Sequence, residues 1–413
     1  MADVAPLRAL HYDLARVGGL QAVAAPPYDV IDDEQRAALL RESPYNVVEI
    51  DLPRDSGDPY RHAADVLQAW LADGVLVRDA EPALWALRQD YTGPDGRSRT
   101  RHGIFARVRV EDYGPGRIRP HERTHPGPRE DRLRLTRATR TNLSPIFSLY
   151  DDPAGAAWAA LAPHVAGEPW GEVSEPDGTV HRLWRVGDEA ASAAVRDALS
   201  GAELLIADGH HRYETARVYR DESGAGQVLM CLVALQDPGL TVFPTHRLLT
   251  GLDGERRAAL ERALERDWEA TEVAPDALEP TGDGPVRVGY YDGRTPRLLT
   301  LRDQAIADAA LAGRAEPYRR LDTAVLEALV LRGALGMTED DIDHLQGLAY
   351  ARTSADARER VDSGEADAAF FMRATPVGQV RDVAAAGENM PPKSTYFYPK
   401  VLTGMVFNPL EED

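Results

Sequence analysis

The sequence predicts a mixed α+β fold built on a mixed sheet core, and two features of its patterning support this. Segments with apolar residues at helical spacing alternate with short runs rich in β-branched and aromatic residues. The alternation lacks the strict strand–helix–strand rhythm of a fully parallel sheet, which favours mixed sheets surrounded by helices. Hydrophobic residues make up 43% of the 413-residue chain and charged residues 28%, a balance typical of soluble globular proteins.

The first elements of the chain alternate between helix and strand. Asp32 is placed to cap a helix over residues 34–42. Residues 45–52, "YNVVEIDL", are rich in β-formers and predict a strand. Apolar residues at helical spacing predict a helix that begins near residue 59 and stops at Asp73-Gly74, and residues 82–110 predict a hairpin with "GPDG" as its turn.

The central and C-terminal segments continue this alternation. Two Ala-rich helices flank a predicted strand over residues 180–186, "VHRLWRV". Residues 202–222 predict a buried strand, a sharp turn and a helix, and residues 227–235 predict another strand. The charged amphipathic segment 253–273 predicts a helix that opens a further domain.

Charge and composition exclude several classes of protein. The net charge of −20 argues against nucleic-acid binding, because such proteins usually carry a basic surface. No run of about 18 apolar residues predicts a membrane span, and the N-terminus lacks the pattern of a secretory signal. Cys231 is the only cysteine, so no internal disulfide can form, and we expect a reducing, cytoplasmic location.

The distribution of lysine points to the C-terminal segment. All but two of the 47 basic residues are arginine, and the exceptions, Lys393 and Lys400, both lie in "MPPKSTYFYPK", residues 390–400. Arginine and lysine differ in shape, hydration and pKa. A segment that keeps both lysines in an arginine-biased chain is therefore expected to need an ammonium group.

The string His121-Glu122-Arg123-Thr124-His125 matches the zinc motif H-E-x-x-H of metalloproteases. That motif needs both histidines on one face of a helix. Here it lies between Pro120 and Pro126-Gly127-Pro128, so the required helix has no room. We predict instead a loop within an arginine-rich patch that spans residues 117–140, suited to chemistry of another kind.

The segment "LLIADGHHRYETA", residues 204–216, is the strongest candidate for an anion site. A buried strand would deliver Asp208 and Gly209 to the start of a helix, whose unpaired N–H groups favour an anion. His210, His211 and Arg212 add donors there, and Asp208 could bind a metal or cap the helix. An Asp-Gly turn with surface histidines is an equally good explanation of these residues alone.

Two short motifs resemble a known fold. "D-G-H-H-R" with the upstream "R-P-H-E" resembles the ParB/sulfiredoxin-like nucleotide-binding fold, and most closely its free-serine kinases. The whole chain is similar to the family catalogued as domain of unknown function 1015. The segments that carry this likeness are "APPYDVI" (25–31), "SPYNVVEIDLP" (43–53), "RPHERT" (119–124), "NLSPIFSLY" (142–150), "ADGHHRYETA" (207–216) and "MPPKSTYFYPK" (390–400).

The resemblance and the residue chemistry together give the candidate site. The catalytic candidates are Glu122, as the general base, with His121 and Lys393. The candidates for nucleotide and phosphate binding are Asp208, Gly209, His210, His211, Arg212, Ser394 and Thr395. The candidates for substrate binding are Tyr28, Asp29, Arg129, Arg132 and Asn142. Asp208, with help from Asn142, is the candidate magnesium ligand because magnesium prefers oxygen ligands.

Several of these residues are assigned on the chemistry of their side chains, and some of them have an alternative structural role. Lys393-Ser394-Thr395 lacks the preceding glycine of a P-loop, yet its ammonium could reach phosphates. Arg129 and Arg132 could grip a carboxylate in bidentate fashion. Tyr28 could stack on a base, or simply form part of a rigid turn with Asp29.

The resemblance implies a nucleotide-dependent phosphotransferase that acts on a small hydroxylated metabolite such as free serine. It also implies ADP or ATP and Mg²⁺ as cofactors. The expected partners are the small-molecule substrate and the nucleotide, and the charge and hydropathy of the chain predict neither a nucleic-acid nor a membrane partner. The alternatives are a phosphoserine-type phosphatase that uses the same site and a non-catalytic, ParB-like nucleotide-binding regulator. The sequence leaves the donor, the acceptor and the oligomeric state open.

Four regions follow from this interpretation. Residues 1–112 form an N-terminal α+β region, and residues 113–250 form the ParB-like nucleotide and catalytic region. Residues 251–380 form a C-terminal α+β region, and residues 381–413 form a segment that returns to the active site.

Overall fold

The computed structural model describes residues 2–54, 57–124 and 126–410. The strands in this part of the chain are β1 (Val4–Ala5), β2 (Leu10–Tyr12), β3 (Leu76–Arg78), β4 (Leu84–Thr92), β5 (Ser98–Arg109), β6 (Ile118–Arg119), β7 (Thr141–Asn142), β8 (Ile146–Tyr150), β9 (Gly171–Ser174), β10 (Val180–Val186), β11 (Leu204–Asp208), β12 (Gln227–Ala234), β13 (Thr241–Phe243), β14 (His246–Leu249), β15 (Trp268–Glu272), β16 (Arg287–Tyr291), β17 (Arg297–Leu301), β18 (Leu348–Ala351), β19 (Ala368–Phe371), β20 (Tyr396–Tyr398) and β21 (Asn408–Pro409).

The α-helices in the same ranges are α1 (Leu14–Val17), α2 (Leu20–Val23), α3 (Asp33–Glu42), α4 (Val48–Asp51), α5 (Pro59–Ala72), α6 (Pro126–Thr139), α7 (Ala156–Leu161), α8 (Glu189–Leu199), α9 (His210–Ser223), α10 (Gly254–Asp267), α11 (Gln304–Ala310), α12 (Glu316–Arg319), α13 (Asp322–Leu326), α14 (Glu339–Asp343), α15 (Ser354–Asp362) and α16 (Val377–Ala385). Short 3₁₀ turns span Tyr28–Val30, Ala162–Val165 and Pro275–Ala277, and a π-helix spans Glu327–Ala334.

Two compact units make up the chain. Unit 1 consists of Met1–Pro120, Thr124–Leu240 and Pro399–Asp413, and unit 2 consists of His121–Arg123 and Thr241–Tyr398. Each unit is therefore assembled from segments that are distant in sequence. The four contiguous regions proposed from the sequence remain a prediction.

Unit 1 is built on a large mixed sheet. In the described residues its strand order is β6-β11-β8-β12-β5-β4-β10-β9, with β1 added beside β5. The pairs β12–β8 and β11–β6 are parallel, and the other pairs are antiparallel. One face buries a core that includes Ile104, Ile206 and Met230. The mixed α+β fold with a mixed sheet is thereby confirmed.

Unit 2 is built on a second sheet. Its order in the described residues is β15-β17-β16-β19-β14-β18, and all of these pairs are antiparallel. Its core contains Trp268, Tyr290 and Phe370, packed with the π-helix. The strands β13 and β20 form a separate antiparallel pair in this unit.

Most predicted elements are present with small shifts at their ends. Asp32 caps α3 through a capping box with Gln35, as the sequence predicts. The hairpin β4–β5 turns at residues 93–96, and β10 spans the predicted residues 180–186. Among the described residues, no helix has both the length and the apolar character that a membrane span requires.

The predicted strand over residues 45–52 is wrong, because the segment forms the short helix α4. The side chain of Asn46 accepts a hydrogen bond from the Val48 N–H at 3.2 Å and donates to two carbonyl groups near α2. Val47 and Ile50 are fully buried in this conformation. Local side-chain capping and burial of one face thus outweigh the β propensity of the valines and isoleucine.

Candidate functional site

The strand β11 ends where the predicted anion cradle begins. Asp208 is its last residue, and Gly209 follows with φ of 94°, a left-handed conformation that favours glycine. Helix α9 starts at His210 and runs for 14 residues. A Cβ atom at position 209 would lie 2.9 Å from Nε of Arg212, so glycine also makes room for that guanidinium.

Two cations hold the carboxylate of Asp208. Nη2 of Arg212 donates to Oδ2 at 2.6 Å, and Nζ of Lys400 donates to Oδ1. Burial alone would raise the pKa of Asp208, but the Lys400 ammonium and the Arg212 guanidinium together hold that pKa well below its usual range. The cradle therefore contains an ionised carboxylate that holds two cations in place.

Lys400 is the site residue that the sequence interpretation missed. It lies 192 positions from Asp208 in sequence, and the lysine bias of residues 390–400 was the signal that could have identified it. The sequence instead predicts Lys393 as the catalytic lysine. Lys393 lies in unit 2, is exposed, and has a left-handed φ of 55°.

The two histidines of the motif occupy the first positions of α9. His210 is buried, with 5% of its surface exposed, and His211 is half-buried. The proximity of His210 also contributes to the low pKa of Asp208, after Lys400 and Arg212. The structure thus gathers Asp208, Gly209, His210 and Arg212 at one helix start in unit 1.

Arg132, a predicted substrate ligand, is largely occupied by contacts within unit 1. Its Nη1 donates to the carbonyl oxygen of Asp51 at 2.7 Å, and its Nε and Nη2 both donate to Asp131. The guanidinium also lies 4.1 Å from the ring centroid of Tyr28. These contacts fit an anchor for the 3₁₀ turn at Tyr28 better than a free substrate ligand.

Tyr28 lies in a positively charged environment. Burial raises the pKa of its hydroxyl, while Arg212 and Arg132 lower it in part, so Tyr28 is close to the cations of the cradle. Asp29 and Arg129 are both exposed, on the 3₁₀ turn and on α6 respectively. Both remain accessible to a ligand, and their assignment to the substrate stays a prediction.

A small cavity lined by both polar and apolar side chains lies beside the first turns of α9. Its volume is about 40 Å³, and Arg132, Asn142 and Arg212 are among its lining residues. A cavity of this size holds about one water molecule, whereas a drug-sized ligand needs roughly 300–1,000 Å³. The cavity is therefore too small to be the nucleotide pocket.

The donor atoms proposed for magnesium do not form a preformed metal site. Oδ1 of Asn142 already accepts hydrogen bonds from the Leu229 N–H at 3.0 Å and from Asn408 at 2.9 Å. Both carboxylate oxygens of Asp208 are held by cations. Across residues 2–54, 57–124 and 126–410, no three His, Cys, Asp or Glu side chains cluster as metal ligands. Magnesium that arrives with nucleotide phosphates stays a prediction from the resemblance.

Unit 2 holds the second half of the predicted site. Nε2 of His121 lies 2.9 Å from Oγ1 of Thr395, and that hydroxyl lies 3.5 Å from Oε1 of Glu122. The imidazole of His121 is fully buried, whereas a third of the Glu122 side chain is exposed. The structure therefore brings His121, Glu122 and Thr395 together, with the carboxylate open to a reactant.

The turn that carries Thr395 is held by buried contacts. Oγ of Ser394 donates to the Pro391 carbonyl at 2.7 Å, and its side chain is buried. Nη2 of Arg247, itself buried, donates to the Pro392 carbonyl at 3.1 Å. Ser394 was predicted to bind phosphate, but in this arrangement its hydroxyl stabilises the turn.

The H-E-x-x-H string does not form the zinc-binding helix. Residues 121–124 are irregular, and α6 begins only at Pro126. His125 lies outside the described residues. The prediction of a loop at His121 and Glu122 is confirmed.

Comparison with known families decides the identity of the chain. The family model described as "Protein of unknown function (DUF1015)" matches residues 4–324. The chain belongs to this family. No curated protein sequence matches this DUF1015 chain.

Solved structures give only weak likenesses to this DUF1015 protein. A conserved hypothetical protein from Pyrococcus furiosus aligns with a TM-score of 0.36 and 16% identity, over 71% of this chain and 90% of that one. A free serine kinase in complex with AMP aligns with a TM-score of 0.38 and 16% identity, over 71% and 86%. A variant free serine kinase in complex with ADP gives 0.39 and 15%, over 71% and 87%.

Proposed function

We propose that this DUF1015 protein is a nucleotide-dependent phosphotransferase that acts on a small hydroxylated metabolite, with free serine as the first acceptor to test. The observation that carries the proposal is the cradle in unit 1. There a buried strand and a left-handed glycine lead into a 14-residue helix and place Arg212 in contact with Asp208. Lys400, from the C-terminal segment, contacts the same carboxylate.

The cradle has the chemistry that a transferring phosphate requires. Phosphoryl transfer depends on positioning and on cations that neutralise the phosphate oxygens. The N–H groups at the start of α9 and its dipole favour an anion, and Arg212 and Lys400 add two fixed positive charges. Because Asp208 stays ionised, it holds both cations in place before the nucleotide binds.

Glu122 is proposed as the general base, the role that the motif resemblance gives it. Its carboxylate would take the proton of the acceptor hydroxyl as the oxygen attacks the terminal phosphorus. The bond from that phosphorus to the bridging oxygen breaks, and the shortened nucleotide leaves. The contact with Thr395, itself next to buried His121, would orient Glu122 for this step.

The experiment is an assay of phosphoserine by mass spectrometry after incubation with serine, Mg²⁺ and either ADP or ATP. We expect product with the wild-type protein and a loss of at least about 10²-fold in turnover for Glu122→Gln, the usual scale for a general base. Nucleotide affinity should be retained in that variant. Glu272→Gln changes an exposed carboxylate of the same unit and is the matched control.

The reverse assay, which starts from phosphoserine, and a nucleotide-binding measurement separate the alternatives. Release of phosphate from phosphoserine without nucleotide would replace the kinase with a phosphatase. Nucleotide binding without turnover of serine or other small alcohols would favour the non-catalytic regulator. Full activity in Glu122→Gln would remove Glu122 from the mechanism.

A further inference from the structure

A row of buried polar side chains crosses three strands of unit 1. Arg101 on β5 lies opposite Gln89 on β4, and Gln89 lies opposite His181 on β10. At most 1% of the surface of each of these residues is exposed. Buried polar groups are costly unless they are hydrogen-bonded, so such a row requires an explanation.

The hydrogen bonds within the row fix the orientation of Gln89. Its Oε1 accepts from Nε and Nη2 of Arg101 at 2.9 and 2.5 Å. Its Nε2 therefore points to Nδ1 of His181, 3.0 Å away, which must act as an acceptor. Nε2 of His181 then donates to Glu175 at 2.7 Å, and this bond sets the tautomer.

The row ends on the backbone of the C-terminal segment. Nη2 of Arg101 donates to the carbonyl oxygen of Pro399 at 2.5 Å, and Nε2 of Gln89 donates to the carbonyl oxygen of Lys400 at 3.1 Å. The backbone carbonyl groups of Pro399 and Lys400 are thus both held by hydrogen bonds. The side-chain ammonium of Lys400 contacts Asp208.

The contacts of Arg101 hold its side chain in one orientation, as a residue that positions the neighbouring backbone requires. Its guanidinium lies 4.6 Å from the ring centroid of Phe147 on β8, and burial lowers its pKa to about 10. At neutral pH the guanidinium is still charged, so its hydrogen bonds to the Gln89 side-chain oxygen and the Pro399 carbonyl oxygen are charge-assisted and strong.

We propose that Arg101 and Gln89 are positioning residues that fix the backbone at Pro399 and Lys400 and thereby aim the Lys400 ammonium at Asp208. This deepens the proposed function, because it rests on Lys400 as a phosphate-binding cation. His181 and Glu175 complete the row by locking the amide of Gln89. None of the four touches a reacting atom in this role.

The test uses the two lysines of the chain as internal probes. Brief reductive methylation of the folded protein, followed by mass spectrometry, gives one modification rate for exposed Lys393 and one for Lys400, which is bound to Asp208. In the wild type we expect Lys400 to react much more slowly than Lys393.

The variants are Gln89→Met and Arg101→Lys, with Leu87→Ala as the matched control. Leu87 is a buried residue two positions from Gln89 on β4, so its truncation destabilises the same strand without a bond to the C-terminal segment. Gln89→Met and Arg101→Lys should raise the Lys400 rate by roughly tenfold relative to Lys393, the scale of one or two lost buried hydrogen bonds. Leu87→Ala should lower the melting temperature and leave that ratio unchanged.

A Lys400 to Lys393 ratio that stays at the wild-type value in both network variants would overturn the proposal. So would an equal rise in Leu87→Ala, because the effect would then follow stability alone. ADP affinity, measured by calorimetry on the same proteins, separates the two ideas. If the wild type binds no nucleotide, the proposed function fails, while the labelling ratio still decides whether Arg101 and Gln89 position Lys400.

Discussion

Lys400 and Lys393 form a natural pair of test and control side chains. Lys400→Met removes a charge-assisted bond to Asp208 and the ammonium that we propose binds phosphate, so ADP affinity should fall by about 10- to 100-fold. Lys393→Met removes an exposed ammonium and should change that affinity by less than about twofold. Isothermal titration with ADP measures both, and an equal effect of the two substitutions would contradict the assignment of Lys400.

His246 makes unit 2 sensitive to acid. Its side chain is fully buried, its Nδ1 accepts the Met372 N–H at 3.1 Å, and its Nε2 lies 3.1 Å from Oγ of Ser354. Burial, with a smaller effect of Arg247, lowers the pKa of His246 to about 4. The unfolded chain binds the proton from about pH 6.5 downward, so stability is complete above pH 6.5 and falls as the pH drops toward 4.

Urea unfolding from pH 7 to pH 4 measures this loss. His246 contributes about 3 kcal/mol to the change in the free energy of unfolding over this pH range, and His246→Gln should remove that contribution. His344→Gln, which removes an exposed imidazole of the same unit, provides the control. A wild-type profile that matches the His246→Gln profile would contradict a neutral, buried imidazole.

At individual positions the sequence predicted which local side chains cluster, but it did not predict their contacts with residues distant in sequence. Asp208, Gly209 and Arg212 are adjacent in sequence, so their clustering follows from one strand–turn–helix segment. Lys400 could not be paired with Asp208, because that contact depends on long-range packing. Asn142 was proposed as a magnesium ligand, but its amide oxygen is used by the backbone of β12 and by Asn408.

At the scale of the elements, the junction of β11 and α9 is sensitive to substitution. Gly209→Ala places a β-carbon in a left-handed conformation and within 2.9 Å of the Arg212 guanidinium. We expect a loss of about 1–3 kcal/mol in the free energy of unfolding together with a clear loss of ADP affinity.

Gly224→Ala is the control at the other end of α9. Its φ is 82°, and a Cβ atom there would meet no atom within 4 Å. The same backbone strain should therefore reduce stability without a change in ADP affinity. If the two alanine variants bind ADP equally well, the position of Arg212 does not govern binding.

Elements with strong local signals were predicted, and those set by their surroundings were not. The capping box of α3, the hairpin β4–β5 and the periodicity of α5 each determine their element from neighbouring residues. Residues 45–52 gave the wrong result because Asn46 bonds to carbonyl groups near α2, more than 20 positions away. Propensity alone cannot include such a contact.

For the whole chain, the two compact units join segments that sequence order separates. Residues 399–413 belong with unit 1, although the preceding residues 241–398 belong with unit 2. The residues of the family motifs are divided in the same way. Asp208 and Arg212 lie in unit 1, whereas Glu122 and Thr395 lie in unit 2.

The central claim is that a nucleotide phosphate binds at the junction of β11 and α9 beside Lys400. Hydrogen–deuterium exchange of the wild-type protein, with and without saturating ADP, tests it most directly. We predict slower exchange in the ADP complex for the amides of residues 208–213 and 399–402. ADP that fails to bind, or that protects only other segments, would contradict the account.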